Sequence, residues 1–431
     1  MGQIEIAALL IALLFVVLGM GVWIGLALLG VAAAAMALFT GRPIGDAMVT
    51  TIWTASSSWT LTALPLFIWM GEILFHSRLS EDMFRGLAPW MRRIPGGLIH
   101  TNIIGCTIFA AISGSSAATA ATIGKMTLPE LKKRGYPDDM AIGSLAGAGT
   151  LGLLIPPSLI MIVYGVVVNE SIAKLFIAGV IPGLLLALFM MLAVMIWATI
   201  RRDEIPPPDP AMSFGQKMHE SRRLIPVVLL IALVLGSIYT GATTATEAAV
   251  MGVVGSIVLA VAQGEFGFKV FVESLMSATR TSALIMLILA GATFLTLSMG
   301  FTGLPRALAE WIGALKLSKY QLILALTAFY VILGCFLDGI SMVVLTMAVV
   351  EPMVRAAGFD MIWFGIFMTL VVEAAQITPP VGFNLFVLQG MTGRNVFAIG
   401  GYSLPFLLCL VLLVVMITIW PDIALWLPAH V

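Results

Sequence analysis

Charge is scarce in this 431-residue chain. Asp, Glu, Lys and Arg make up 10% of it, and 22 basic residues balance 22 acidic ones. A soluble domain carries about 25% charged residues. With no net charge there is no electrostatic footprint for nucleic acid or an acidic partner. Cysteine is almost absent. Cys106, Cys335 and Cys409 lie far apart in apolar sequence and form no Cys-x-x-Cys pair. That excludes a thiolate cluster or a dithiol redox motif and leaves buried small hydrophobes. His76, His100, His219 and His430 form no His-Glu-x-x-His motif and no i, i+4 pair, so no histidine metal site is expected. What abounds is apolar: 60% of the residues are hydrophobic, against about 45–50% in soluble domains. The chain reads as an all-α polytopic membrane protein. Its first apolar run lacks a basic n-region and a cleavage site, and is expected to be a retained helix.

A spanning helix needs about 20 apolar residues. Residues 4–39 are too long for one span, and Gly19, Gly21 and Gly25 mark the expected break into two. Further spans are expected over 61–75, 175–200, 224–239, 248–262, 283–297 and 399–420. Residues 201–223, with Pro206-Pro207-Pro208, form the one obvious hydrophilic linker. Residues 304–319 read as an amphipathic segment lying in the interface. Trp53, Trp59, Trp90 and Trp420 read as interface anchors.

One pattern occurs twice. Residues 112–158 and 336–381 each open on a polar turn in apolar sequence, Ser113-Gly114-Ser115-Ser116 and Asp338-Gly339-Ile340-Ser341. Each continues through a proline (Pro129, Pro352) and a glycine–aromatic pair (Gly135-Tyr136, Gly358-Phe359). Each ends on a double proline, Pro156-Pro157 and Pro379-Pro380. Pro129, Gly135, Pro156 and Pro157 map onto their partners with a single offset of 223 residues. A repeated pair of helix-breaking segments at membrane depth points to the binding site of a secondary transporter. The expected architecture is a pair of inverted repeats, each with a re-entrant helical hairpin and a broken transmembrane helix. Residues 1–60 are N-terminal scaffold helices, and 61–200 are the first repeat, with hairpin 98–126 and broken helix 138–168. Residues 201–223 are a cytoplasmic linker, and 224–280 are further scaffold. Residues 281–431 are the second repeat, with hairpin 320–352 and broken helix 361–389.

Basic residues set the orientation. The segments carrying Arg78 to Arg93, Lys125 to Arg134 and Arg201 to Arg223 are placed in the cytoplasm. This requires the first hairpin to enter and leave on one side. Counting onward, Asn169, Glu170 and the N-terminus fall outside, and Lys269, Arg280 and Arg394 inside. The second hairpin then enters from outside, as an inverted repeat requires. Lys316 and Lys319 also fall outside, against the rule.

Helix breaks at membrane depth free backbone groups that cost several kcal/mol each if unpaired in lipid, so they belong in the protein interior or a wet cavity. Carbonyl oxygens with Ser and Thr hydroxyls make a hard-cation site without a carboxylate, and half-helix N-termini suit an anionic substrate. The first site combines Ser113, Ser115 and Ser116 with the backbone of Gly152, Leu154 and Pro157. The second combines Asp338, Gly339 and Ser341 with Thr378 and Pro380. Ala117-Ala118-Thr119 is expected to pack behind the first tip. Asp338 is one of few acids deep in apolar sequence, and reads either as a ligand or as the cap of the following half-helix. Glu373 and Gln376 line the cavity or bond a freed amide, and Asn384, just past the second double proline, points to the same region. Glu247 reads as a helix-start acid. Ser, Thr and Gly are also ordinary packing residues of membrane helices. Their recurrence ahead of two proline-broken crossings favours a site.

Five motifs carry a family resemblance over essentially the whole chain. They are Ser113-Gly-Ser-Ser-Ala-Ala-Thr119, Gly152-Leu-Leu-Ile-Pro-Pro-Ser158, Thr244-Ala-Thr-Glu-Ala-Ala249, Phe336-Leu-Asp-Gly339 and Ile377-Thr-Pro-Pro-Val-Gly382. In these the chain resembles the large membrane subunit of TRAP (tripartite ATP-independent periplasmic) transporters. The resemblance implies an ion-transporter-superfamily elevator in the bacterial inner membrane. It implies sodium-driven uptake of an organic acid delivered by a periplasmic binding protein, and a small four-helix membrane subunit on the scaffold. It implies no organic cofactor. The positions matching the family's sodium sites are Ser113, Gly152, Leu154, Pro157, Gly339, Thr378 and Pro380, which Asp338 joins by its position. Ser115, Ser116, Ser341, Gln376 and Asn384 are left to the substrate. The small subunit is fused ahead of the large one in some members; here it is expected as a separate chain. Ala245 stands where a proline is common, which weakens a rigid role for that turn and leaves the site untouched.

Three other readings compete. A stand-alone sodium-coupled dicarboxylate or anion symporter keeps the fold and drops the partners. An intramembrane aspartyl protease needs two facing acids, and Asp338 has no evident aspartate partner. A channel needs an open pore, which two occluding hairpins oppose.

Overall fold

The computed structural model describes residues 3–77, 79–207, 212–303, 317–334, 337–380 and 382–430. Arg78, Pro208, Lys316, Cys335, Phe336, Val381 and positions 304–316 of the expected interfacial segment lie outside the described residues. Among the described residues there is no strand. Six helices are long and apolar enough to cross a membrane, or eight if each of two bent pairs counts as one.

The amino-terminal run divides as its glycines predict, into α1 (Gln3–Gly19) and α2 (Ile24–Phe39). Two helices lie outside the expected spans. Helix α3 (Ile44–Ser56) precedes α4 (Ala63–Phe75) at a 55° bend, and α5 (Leu79–Met91) is amphipathic, burying Met83, Phe84, Leu87 and Met91. Their charged or hydroxyl-rich faces keep them below a span-length hydropathy signal. Then come α6 (His100–Ser113), α7 (Ser116–Lys133), α8 (Asp138–Gly149), α9 (Leu151–Leu154), α10 (Leu159–Val167) and α11 (Ile172–Ile200). The linker is not wholly irregular, because α12 (Phe214–Ser221) folds within it behind a Ser213–Gln216 capping box. Helices α13 (Ile225–Tyr239), α14 (Ala245–Ala262) and α15 (Phe268–Thr302) follow. Thr244 and Glu247 form the capping box that starts α14, as Glu247 predicts. Helix α15 has 35 residues and runs unbroken through the expected domain boundary at 280/281. The chain ends with α16 (Lys319–Leu333), α17 (Gly339–Ala356), α18 (Met361–Gln376), α19 (Phe383–Thr392), α20 (Val396–Ile419) and the short α21 (Asp422–Leu425).

Two hairpins are visible in their cross-contacts. Gly114, at φ +61°, ends α6, and Gly105 faces Ile123, each nine residues from that turn. In the second, the Tyr330 hydroxyl meets Thr346 Oγ1 at 2.7 Å, each eight residues from Asp338. The offset of 223 read from the prolines carries the whole of α7 onto α17 and the start of α8 onto that of α18. Both crossings break at their double prolines, and both Pro-Pro peptide bonds are cis.

The helices sort into two packed groups. Helices α2, α3, α4, α13, α14 and α15 surround one another, while α6 to α11 and α17 to α20 form the other body. Small residues let backbones touch in both. Gly25 of α2 lies against Leu287 and Gly291 of α15, and Gly143 and Gly147 of α8 lie against Tyr402 and Phe406 of α20. Buried polar side chains tie helices within each group. Ser298 donates to Ala32 O at 2.9 Å, Trp363 Nε1 to Ile417 O at 2.8 Å, and Asn102 Nδ2 to Ser144 Oγ at 2.9 Å.

The feet of the hairpins lie at different ends. At one end Arg201 pairs with Asp139 at 3.1 Å, Arg223 with Asp82 at 2.9 Å, and Arg394 with Asp138. These contacts gather the start of α5, the foot of the first hairpin, the linker and Arg394. At the other end Arg355 pairs with Glu170 at 3.5 Å, and Lys319 donates to Gly358 O at 3.2 Å. Helices α8 to α10 run from the first group of charges to the second.

A β-carbon on Gly147 would overlap the Phe406 side chain. Gly147→Leu is therefore expected to lower thermal stability in detergent by about 1–3 kcal/mol. Gly401→Leu, at a position with nothing within 4 Å, is expected to leave the unfolding midpoint nearly unchanged.

Candidate functional site

The first hairpin tip is built by a helix end and a helix start in immediate succession. Gly114 lets α6 stop in the left-handed region, where a β-carbon would also press on the Pro157 carbonyl at 2.8 Å. Ser115 then caps α7, its side chain accepting from Ala118 N at 3.4 Å. Ser113 Oγ lies 2.6 Å from Thr119 Oγ1, and Thr119 Oγ1 donates to Ser115 O at 2.8 Å. Gly152 of the broken crossing closes over this group. A β-carbon there would sit 2.5 Å from Ser115 O and 2.6 Å from Thr119 Oγ1. A backbone bond from Leu159 N to Gly114 O, 3.2 Å, joins the tip to the far side of the break.

The structure thus brings together Ser113, Ser115, Gly152 and Pro157. Thr119, expected to pack behind the tip, instead turns its hydroxyl into the cluster. Its place one turn after Ser115 was the available signal. Leu154 is the exception. Its carbonyl faces Gly179 of α11, because it ends the short α9 on the side away from the hairpin.

The second tip uses a carboxylate where the first uses serine. Asp338 Oδ2 accepts from Ile340 N at 3.1 Å and Ser341 N at 3.3 Å, and Oδ1 accepts from Ser341 Oγ. Of the two roles read for Asp338, the cap is present. Gly339 lies against α18, where a β-carbon would stand 2.6 Å from Val372 Cγ1 and 2.8 Å from Gln376 Nε2. Thr378 Oγ1 turns back on Ala374 O at 2.7 Å, while the Thr378 carbonyl accepts from Gly382 N at 3.2 Å. Pro380, two residues on, is exposed.

Gln376 joins the two tips. Its Oε1 accepts from Ser116 Oγ at 2.7 Å, and its Nε2 lies beside Gly339. Ser116 and Gly339 are the first residues of α7 and α17, so the N-terminal ends of both helices converge on one amide. Each carries the partial positive charge of its unsatisfied N–H groups. Ser113, in contrast, sits at the C-terminal, partially negative end of α6.

Two buried polar groups stand near this junction. Glu373 lies one turn before Gln376, and Asn384 in the first turn of α19; both are fully buried. Neither carboxylate oxygen of Glu373, and neither amide atom of Asn384, has a hydrogen-bond partner among the described residues. The expected bond from this region to a freed amide is therefore not made by Glu373. No group of three or more His, Cys, Asp or Glu gathers among the described residues. The oxygens gathered at the first tip are carbonyls and hydroxyls.

The sequence matches the family described as tripartite ATP-independent periplasmic transporter, DctM component, over residues 11–423. It is 32% identical over 378 residues to the C4-dicarboxylate TRAP transporter large permease protein DctM of Pseudomonas aeruginosa, covering 88% of each chain. It is 32% identical over 411 residues to the isethionate TRAP transporter permease protein DctMQ of Oleidesulfovibrio alaskensis, covering 94% of this chain and 63% of that one. The fold resembles that of the YdaH transporter of Alcanivorax borkumensis, with a TM-score of 0.66 and 15% identity over 93% of this chain and 97% of that one. These relatives are transporter permeases, not enzymes, and membrane-length helices enclosing two hairpins and two interrupted crossings fit a multi-pass transport protein. The chain belongs to the TRAP transporter family, as a large permease subunit.

The Ser116–Gln376 bond crosses 260 residues of sequence inside the protein. Ser116→Ala leaves a buried acceptor without its donor and is expected to cost about 1–3 kcal/mol of stability. In a double-mutant cycle with Gln376→Ala, a coupling of about 0.5–1.5 kcal/mol is expected. Strict additivity would place the two side chains out of contact.

Proposed function

We propose that this chain is the membrane-spanning core of a sodium-gradient-driven importer for a small organic acid carrying a carboxylate. It works in the bacterial inner membrane with a small four-helix membrane subunit and a periplasmic binding protein that delivers the substrate. One observation carries the reading: the N-termini of α7 and α17 converge on Gln376. Two positive helix ends facing one amide favour an anion, and they sit where irregular backbone gathers inside the membrane. Ser115, Ser116, Ser341, Gln376 and Asn384 are the residues assigned to that anion. The relatives' names point to organic anions: a C4-dicarboxylate carries two carboxylates, and isethionate a sulfonate.

Sodium is the coupling ion in this proposal. At the first tip, Ser113 at the C-terminus of α6, the carbonyl of Ser115, the hydroxyl of Thr119 and the backbone of Gly152 and Pro157 present oxygens at a negative helix end, which suits a hard cation. Asp338, Gly339, Thr378 and Pro380 serve a second ion. The hairpins enter from opposite faces as inverted repeats. The body holding them moves past the scaffold group as an elevator, with the end that carries Asp138, Arg201 and Arg394 in the cytoplasm.

Uptake of labelled carboxylates into proteoliposomes tests this, with the small subunit present and with or without the binding protein and an inward sodium gradient. Uptake is expected to require both. Uptake that needs sodium alone would instead make this a stand-alone anion symporter. Ser113→Ala is expected to weaken sodium dependence more than it lowers protein yield. Asp338→Asn keeps a good cap and removes the charge. If Asp338 binds the ion, Asp338→Asn loses sodium dependence as Asp338→Ala does; wild-type behaviour in the asparagine variant would leave Asp338 a cap alone. A cysteine replacing Asn169 is expected to react with an impermeant reagent from the periplasm, and one replacing Gln216 is not.

A further inference from the structure

Away from the hairpin tips, a cavity of about 820 Å³ opens among α5, the foot of the first hairpin, the end of α11 and the linker. Its charged lining is one-sided: Arg85, Arg92, Arg93, Arg134 and Arg202, with Glu220 the one acid among its described residues. Glu220 is already engaged by Arg223 at 3.1 Å. Arg85 and Arg134 have partners on their own helices, Glu81 at 2.5 Å and Glu130 at 3.4 Å. Arg92, Arg93 and Arg202 have no ion-pair partner among the described residues. Arg92 Nε is buried and has no acceptor. A buried guanidinium N–H with nothing to donate to is uncommon, and points to a missing anion.

We propose that this cavity holds the phosphate of an anionic phospholipid headgroup. Guanidinium groups match phosphate oxygens in paired hydrogen bonds, and basic pockets between membrane helices at the headgroup level suit anionic lipid. The rim favours a lipid over a free anion. Met212 in the lining is 43% exposed, and Phe214, which packs edge-on against Trp90 of α5, is 69% exposed. Apolar side chains next to a basic cluster are the composition of a surface that sits at the boundary between headgroups and acyl chains. The cavity is separate from the Gln376 junction, because the 14 residues of α6 span about 21 Å at 1.5 Å per residue. A lipid here joins the linker to the foot of the first hairpin and to α11.

The test is thermal unfolding of the full chain in detergent, titrated separately with phosphatidylglycerol, phosphatidylcholine and inorganic phosphate. Phosphatidylglycerol is expected to raise the unfolding midpoint saturably, and the other two are not. In Arg92→Gln/Arg202→Gln the apparent affinity is expected to fall about thirtyfold, from roughly fivefold per basic residue near a membrane surface. Arg280→Gln, an exposed position on α15, serves as the control and is expected to change nothing. Should the double variant fail to fold, Arg93→Gln at an exposed position carries the same test, with an expected loss of about fivefold. An equal response to phosphatidylcholine, or an undiminished response in the variants, overturns the proposal. A shift produced by inorganic phosphate alone assigns the cavity to a soluble anion and overturns the lipid.

Discussion

Hydrocarbon offers no hydrogen bonds, so every break in a membrane helix must find its partners inside the protein. This chain breaks two crossings and turns two hairpins, and each interruption is answered locally. Ser158 Oγ donates to the Leu153 carbonyl freed by Pro157, and Leu159 N reaches across to Gly114 O. In the second crossing Ser403 Oγ donates to Ile377 O at 3.2 Å, and Gly382 N bonds Thr378 O. These demands hold the hairpin tips against the breaks. The candidate site is the place where the irregular backbone collects, and its ligand-like oxygens are the groups a regular helix would have used up.

The same arrangement sorts charge without spending ionised side chains. Helix α6 ends where α7 begins, so a partially negative helix end and a partially positive one lie within a few residues of each other. Ser113 and Thr119 collect at the first, and Ser116 with Gln376 at the second. The proposed sodium and anion would then lie side by side, each against a helix end of the complementary sign. Glycine makes the approach close enough: at Gly114, Gly152 and Gly339 a β-carbon would meet backbone or buried side-chain atoms within 3 Å.

Much of this was readable in the chain. The span pattern, the glycine break between α1 and α2, both hairpin turns, both broken crossings and the 223-residue correspondence follow from apolar run length and the positions of proline, glycine and serine. Helices α3 and α5 were not legible as such, because they lean on neighbours instead of filling a bilayer-length apolar window. Thr119 reads as a packing residue, because sequence order says which turn a residue is on, but not which way that turn faces. Leu154 belongs to the first site by the family's motif, while the short α9 turns its carbonyl toward Gly179.

The sequence by itself determined the membrane class, the places where helices must break and the chemical types available there, since local sterics and transfer free energy act on each segment alone. It could not determine that Ser116 and Gly339, 223 positions apart, meet the same Gln376, nor that Glu373 and Asn384 are buried without partners, nor that arginines from α5, the hairpin foot and the linker share one cavity. Those are distances between segments. They are set by how glycine-lined helix faces pack, and no local property of the chain encodes them.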